Sequence, residues 1–87
     1  MRFAVEVLVT LKRGLADPQG KAVEGALPAL GWTNVSGVRV GKHVRLDLEA
    51  DSETAARTQA EAMAGRLLSN PVIEDSRILE VHEVRHA

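Results

Sequence analysis

Arg2-Phe3-Ala4-Val5-Glu6-Val7-Leu8-Val9-Thr10-Leu11 alternates residue by residue, with Phe3, Val5, Val7, Val9 and Leu11 on one face and Arg2, Glu6 and Thr10 on the other. Successive side chains of an extended backbone point to opposite sides, so a period of two predicts a strand over residues 2–11. Lys12-Arg13-Gly14 breaks the alternation. Asp17-Pro18 then supplies a helix start, the Asp oxygen accepting from free N–H groups while Pro sits in the first turn, where no donor is needed. The helix is expected from Pro18 to Leu30, with Ala22, Val23, Ala26, Leu27 and Leu30 as its apolar stripe and Gly31 as its left-handed terminus. Pro28 lacks a donor and clashes one turn back, so the last turn is expected to be kinked or short.

Further along, Val38 and Val40, then Val44, Leu46 and Leu48, form two alternating runs around Gly41-Lys42. They read as a hairpin in which Gly41 permits the positive φ of a tight turn. Asp51-Ser52 caps a second helix whose inward positions are Ala56, Ala60, Met63, Ala64, Leu67 and Leu68, and Asn70-Pro71 ends it. Arg77 to Val84 is a last strand of mixed pattern, since Ile78, Leu79, Val81 and Val84 fall on both faces. The order β-α-β-β-α-β predicts an α+β two-layer sandwich on the ferredoxin-like plan, an antiparallel sheet with both helices on one face. Right-handed crossovers then bring Lys12, Arg13, Asp17, Gln19 and Lys42 to one edge of the sheet.

Composition sets the outer limits. Eighty-seven residues make one domain (1–87), and a hydrophobic fraction of 45% with 26% charged residues is ordinary for a folded chain. A net charge of −1 gives no overall field for nucleic acid or anionic membrane. The absence of Cys excludes disulfides, thiolate metal sites and thiol nucleophiles. The N-terminus lacks the unbroken apolar run of a signal peptide, and no segment reaches the ~18 apolar residues a membrane helix needs, so a soluble cytoplasmic protein is expected. Asn34-Val35-Ser36 matches a glycosylation acceptor that such a protein would not use. Phe3 and Trp32 are the only aromatics, and a domain this small buries only ~60% of its chain surface, so self-association is expected. Leu8 on the outer face of the first strand and the two-faced last strand offer apolar surface for it.

Catalytic signatures are weak throughout. His82 and His86 sit four apart, but on a strand they lie roughly 13 Å from each other, too far for one ion, and His43 reads as a surface residue. Gly37-Val38-Arg39-Val40-Gly41-Lys42 superficially suggests a phosphate loop, yet its glycines are one residue too close and His43 replaces the hydroxyl that would hold magnesium. The paired carboxylates Asp47 with Glu49 and Glu74 with Asp75 have nothing to raise a pKa, and Ser36, Ser52, Ser69 and Ser76 sit in no nucleophile motif. RNA-recognition domains of the same plan stack bases on sheet aromatics, which this sheet lacks. What remains is a local basic group, Lys12, Arg13, Arg39, Lys42 and Arg45, suited either to solvent or to an acidic or phosphate-bearing partner.

Five strings stand in an informative order: Val7-Leu8-Val9-Thr10-Leu11-Lys12 leading to Asp17-Pro18-Gln19-Gly20, then Leu30-Gly31, then Val38-Arg39-Val40-Gly41-Lys42, and Leu67-Leu68-Ser69-Asn70-Pro71-Val72-Ile73-Glu74. Together they resemble the PurS family, the small subunits of phosphoribosylformylglycinamidine synthase in purine biosynthesis, over nearly the whole chain. The resemblance implies a non-catalytic partner of a glutaminase (PurQ) and a synthetase (PurL), with ATP and magnesium used by the complex and no cofactor bound by this chain alone. It also implies dimers that exchange segments, and higher assembly. Asp17, Gln19, Gly20, Arg39, Lys42, Asn70, Ile73 and Glu74 carry over as partner contacts. Each has a structural reading beside this: Asp17 and Asn70 cap helices, Gly20 permits packing, and Ile73 reads as core. The family pattern often has an aromatic residue where Asp75-Ser76 stands. A second reading of the same plan is a stand-alone regulatory module that binds a small metabolite between subunits, as ACT-type domains do.

Overall fold

The computed structural model describes residues 1–85. Strand β1 runs Arg2–Leu11 and forms the centre of a three-stranded antiparallel sheet of order β2-β1-β3. Strand β2 is Lys42–Glu49 and β3 is Glu74–Val84. Phe3, Val5, Val7 and Val9 are the largest fully buried side chains, as the alternation requires. Helix α2, Glu53–Met63, lays Ala56 and Ala60 on them, and Ala64 follows in a π-helical turn over Ala64–Leu68. Three alanines one turn apart let the helix axis approach the valines closely. Ser52 caps α2 by accepting the Ala55 N–H at 3.1 Å, as expected. Met63 and Leu67, expected inward, are exposed instead. The wider π turn shifts the helix face, and the Ser69 N–H and hydroxyl both close on the Ala64 carbonyl, at 2.9 and 2.8 Å.

Helix α1 spans Pro18–Ala26, and a single 3₁₀ turn over Pro28–Leu30 follows it, so the shortening expected from Pro28 takes this form. Gly31, at φ 102°, caps the turn in the left-handed region. The stripe Ala22, Val23, Ala26 and Leu30 is exposed and only Leu27 is half-buried, so within one chain it meets no core.

The expected hairpin does not form inside the chain. Its second run is β2, whose Val44, Leu46 and Leu48 pair with Val7, Val5 and Phe3. Its first run, Val38–Val40, is not a strand because carboxylates take its donors: Val38 N–H donates to Glu24 Oε1 at 3.0 Å and Val40 N–H to Asp17 Oδ2 at 2.7 Å. Gly41 is not among the positive-φ residues. It serves close approach instead, since a Cβ there would meet the Val9 carbonyl oxygen at 2.7 Å. The sheet is thus the ferredoxin-like sheet without the first hairpin arm, whose place lies beyond the free edge of β2.

Strand β3 begins three residues earlier than expected, and its mixed pattern has a local cause. Glu6 pairs with Glu80 while Val7 pairs with Ile78, so Leu79 is an extra residue in the ladder. This bulge switches the side-chain parity, so that Ile78 and Val81 both face the core while Leu79 is exposed. The resulting molecule is a thin slab of 50 × 34 × 14 Å with a radius of gyration of 16.7 Å. A compact chain of this length has a radius near ~12 Å.

Candidate functional site

The loop after β1, the start of α1 and the segment before β2 were expected at one edge of the sheet and do come together there, although the first of the two expected crossovers has no second strand in the chain. These three, with the turn before β3, surround a hollow of about 320 Å³ at the end of β1. Val9, Leu11 and Val40 provide its apolar wall, and Asp17, Gln19, Lys42 and Glu74 its polar rim.

Asp17 is the organising group. It is 4% exposed, with Oδ1 accepting the Gly20 N–H at 2.8 Å and Oδ2 the Val40 N–H at 2.7 Å. The Gly20 N–H first, then that of Val40, hold its carboxyl below the ordinary Asp value, because both bonds favour the anion. Gly20 is buried, and a Cβ there would collide with the Val38 carbonyl oxygen, so it must be Gly for residues 38–40 to lie against the helix start. Gln19 is exposed on the rim.

Arg39 and Lys42 are occupied by the chain's own backbone. The Arg39 guanidinium donates to the carbonyls of Leu15 at 2.8 Å and Lys12 at 3.3 Å, pinning the loop after β1. Lys42 Nζ donates to the Leu68 carbonyl at 3.1 Å, tying β2 to the end of the π turn. Lys12 pairs with Asp75 at 3.1 Å, and Arg45 lies 3.6 Å from Asp47 on β2. The basic group seen in the sequence is therefore largely a set of internal fasteners.

Asn70, Ile73 and Glu74 form a self-contained turn. Glu74 Oε1 accepts the Asn70 N–H at 2.7 Å, the Asn70 carbonyl accepts from Glu74 N at 2.7 Å, and Asn70 Oδ1 accepts from Val72 N at 3.1 Å. The Ile73 carbonyl accepts the Lys12 N–H at 2.9 Å, which joins this turn to the loop after β1. The Ile73 side chain, read as core, is exposed, as are Val72 and Leu67, so the turn and the π turn present an apolar rim beside the hollow. Glu24 was missed. Its signal was available, since Asp17, Gly20 and Glu24 recur at i, i+3 and i+7 and so share one helix face.

Elsewhere, His43 Nε2 lies 2.9 Å from Glu6 and His82 Nδ1 lies 3.5 Å from Glu80, on the outer sheet face. His86 lies outside the described residues. Among the described residues no three His, Asp or Glu side chains are placed to share a metal ion. Residues 37–42 lead into a strand and not into a helix, which is not the setting of a phosphate loop.

The site's chemistry is thus positional: its charged groups, exposed or not, hold backbone, and the exposed groups without such bonds among the described residues are Gln19, Ile73 and the neighbouring apolar rim. Comparison with known proteins agrees with the whole-chain pattern. A family model described as "PurS: Phosphoribosylformylglycinamidine (FGAM) synthase" matches residues 4–83. The chain is 42% identical over 82 residues to the phosphoribosylformylglycinamidine synthase subunit PurS of Bacillus subtilis, covering 94% of this chain and 95% of that one. It superposes on the PurS structure of Thermus thermophilus with a TM-score of 0.87 and 41% identity, over 98% of this chain and 100% of that one. It is also similar to a chain of the PurLQS structure of Thermotoga maritima, with a TM-score of 0.81 and 28% identity over 97% and 99%. The chain therefore belongs to the PurS family.

Proposed function

We propose that the chain is the small, non-catalytic subunit of FGAM synthase, working in the cytoplasm in a complex with a synthetase subunit (PurL) and a glutaminase subunit (PurQ). The observation that carries this reading is the state of its charged site residues: Asp17, Glu74, Arg39 and Lys42 are all engaged in fixing loops and turns. The similarity to a chain of PurLQS supports the partners. In this role the fold supplies a shaped surface, while ATP and magnesium belong to the complex. The chemistry demands a seal. Ammonia released from glutamine takes a proton in neutral water and ceases to be a nucleophile, so the enzymes that make and use it must be held in register. The test is reconstitution, in which glutamine-dependent and ammonia-dependent amidine formation by the two large subunits are measured with and without this chain. Loss of only the glutamine-dependent rate on omission supports coupling; equal rates with and without it would overturn the reading.

The working unit is a homo-oligomer, at least a dimer. The accessible surface is 6240 Å², whereas a compact monomer of this mass exposes ~5,000 Å². The excess is comparable with the ~800 Å² that each partner of a standard interface buries. The occupant that fits is a second copy, because the chain carries both halves of an unmet contact. Among the described residues the α1 stripe has no core to cover, and the place beyond the free edge of β2 has no strand. Exchange of segments between copies, which the family resemblance implies, satisfies both. Sedimentation at micromolar concentration tests it, and a monomer there would exclude it.

A further inference from the structure

Five of the eleven Lys and Arg side chains, namely Arg13, Lys21, Arg57, Arg66 and Arg77, have no acidic partner or side-chain hydrogen bond among the described residues. Three of them, Arg13, Arg57 and Arg77, gather around Ser76-Arg77 near the start of β3, where two hollows flank the strand. The hollow on the outer face, about 420 Å³, is lined by Arg13, Arg77 and Thr10, with Leu8 and Leu11 as apolar wall, while Ser76 borders it from a position opposite Val9 that turns its hydroxyl to the other face. Its one acid, Asp75, is already paired with Lys12. Arg77 stands opposite Leu8, and Asp75 opposite Thr10, in the β1–β3 register, so these four form one block on that face. The second hollow, about 390 Å³, places Arg57 of α2 on the other side of Ser76-Arg77, with Glu61 beside it.

We propose that the outer hollow is a binding site for the phosphate group of a small phosphorylated molecule, independent of the assembly role. Two guanidinium forks and the Thr10 hydroxyl on one face can converge on the three oxygens of a phosphate, whereas a carboxylate presents only two. This favours phosphate over an acidic peptide. The apolar wall of Leu8 and Leu11 suits the body of an ester. No bond is made or broken in this step.

The experiment is an NMR titration of the full chain, following the Arg side-chain N–H groups and the amides of Thr10 and Ser76. Inorganic phosphate, ribose 5-phosphate and ADP are the separate arms, at ionic strength matched with chloride. Saturable shifts centred on Arg13 and Arg77 are expected, weakened about tenfold or more by Arg77→Gln or Arg13→Gln and left unchanged by Lys21→Gln. Tighter binding of the esters than of inorganic phosphate would identify an ester site, and the reverse order a site for the free anion. Shifts that chloride reproduces, that persist in Arg77→Gln and Arg13→Gln, or that only a glutamate-rich peptide produces would overturn the proposal. An unchanged amide spectrum elsewhere in each variant shows that the fold is intact.

Discussion

Asp17 holds Val40. Its Oδ2 accepts the Val40 N–H at 2.7 Å while Oδ1 accepts the Gly20 N–H at 2.8 Å, so the group that caps α1 also fastens the run before β2. The two bonds depress its folded pKa below the unfolded value. A depressed carboxyl contributes stability that is present above its unfolded pKa, about 3.9, and lost as pH falls through the folded value. Asp17→Asn should therefore lower the urea midpoint at neutral pH and flatten its fall in acid. Midpoints measured across the acid range check this; curves for the two proteins that stay parallel down to about pH 2 would refute it.

Gly20 and Gly25 lie on the same helix and should respond oppositely to alanine. At Gly20 a Cβ runs into the Val38 carbonyl oxygen, so the 38–40 segment must shift, at about 1–3 kcal/mol. At Gly25 a Cβ meets nothing within 4 Å, so Gly25→Ala should gain about 0.5–1 kcal/mol from helix propensity alone. Denaturant unfolding of both variants separates the two effects, and equal behaviour would show that residues 38–40 do not rest on Gly20.

How far the sequence disclosed this molecule depends on where each residue's partners lie. Strand β1, the Asp17 and Ser52 caps and the stop at Asn70-Pro71 were legible because their causes are local: a period of two, a side chain reaching N–H groups within three residues, a missing donor. The Val38–Val40 run failed because a strand pattern records only side-chain alternation, while its N–H groups were claimed by Asp17 and Glu24, more than a dozen residues away. The π turn has no marker in Ala64-Gly65-Arg66-Leu67-Leu68, so Leu67 was read inward from an α-helical period that stops short of it. Of the site, the gathering of the loop, helix start and turn followed from topology. That Arg39 and Lys42 are spent on carbonyls did not, because a basic side chain gives no sign of its acceptor.

Glu6 and Glu80 face each other across β1 and β3, where like charges are destabilising. Glu6 is nonetheless held below its ordinary pKa, first by hydrogen bonding with the Glu80 carboxyl and then by His43, 2.9 Å away. Its depressed value again means a contribution present above the unfolded pKa and lost as pH falls through the folded one. Glu80→Gln introduces an N–H donor toward Glu6 and removes the repulsion. It should raise the thermal midpoint at about pH 8, by a margin that is lost by about pH 2, once Glu6, held below its ordinary value, has taken up its proton. Thermal scans at the two pH values decide it, and a pH-independent change would assign the effect to packing.

Trp32, the only tryptophan, reports on the surface that a second copy is proposed to cover. In a single chain it is 55% exposed, next to Leu30 at 69%. Full burial of a large apolar side chain is worth about 1.5–3 kcal/mol, and about half of Trp32 remains to be covered, which corresponds to roughly a three- to tenfold change in the dissociation constant. Emission should therefore be blue-shifted at high concentration and move to the red on dilution, in step with the sedimentation coefficient, and Trp32→Ala should weaken self-association by that factor. A tryptophan that emits as fully exposed at concentrations where sedimentation gives a dimer would place the contact elsewhere, leaving the 31–37 segment free for a different subunit.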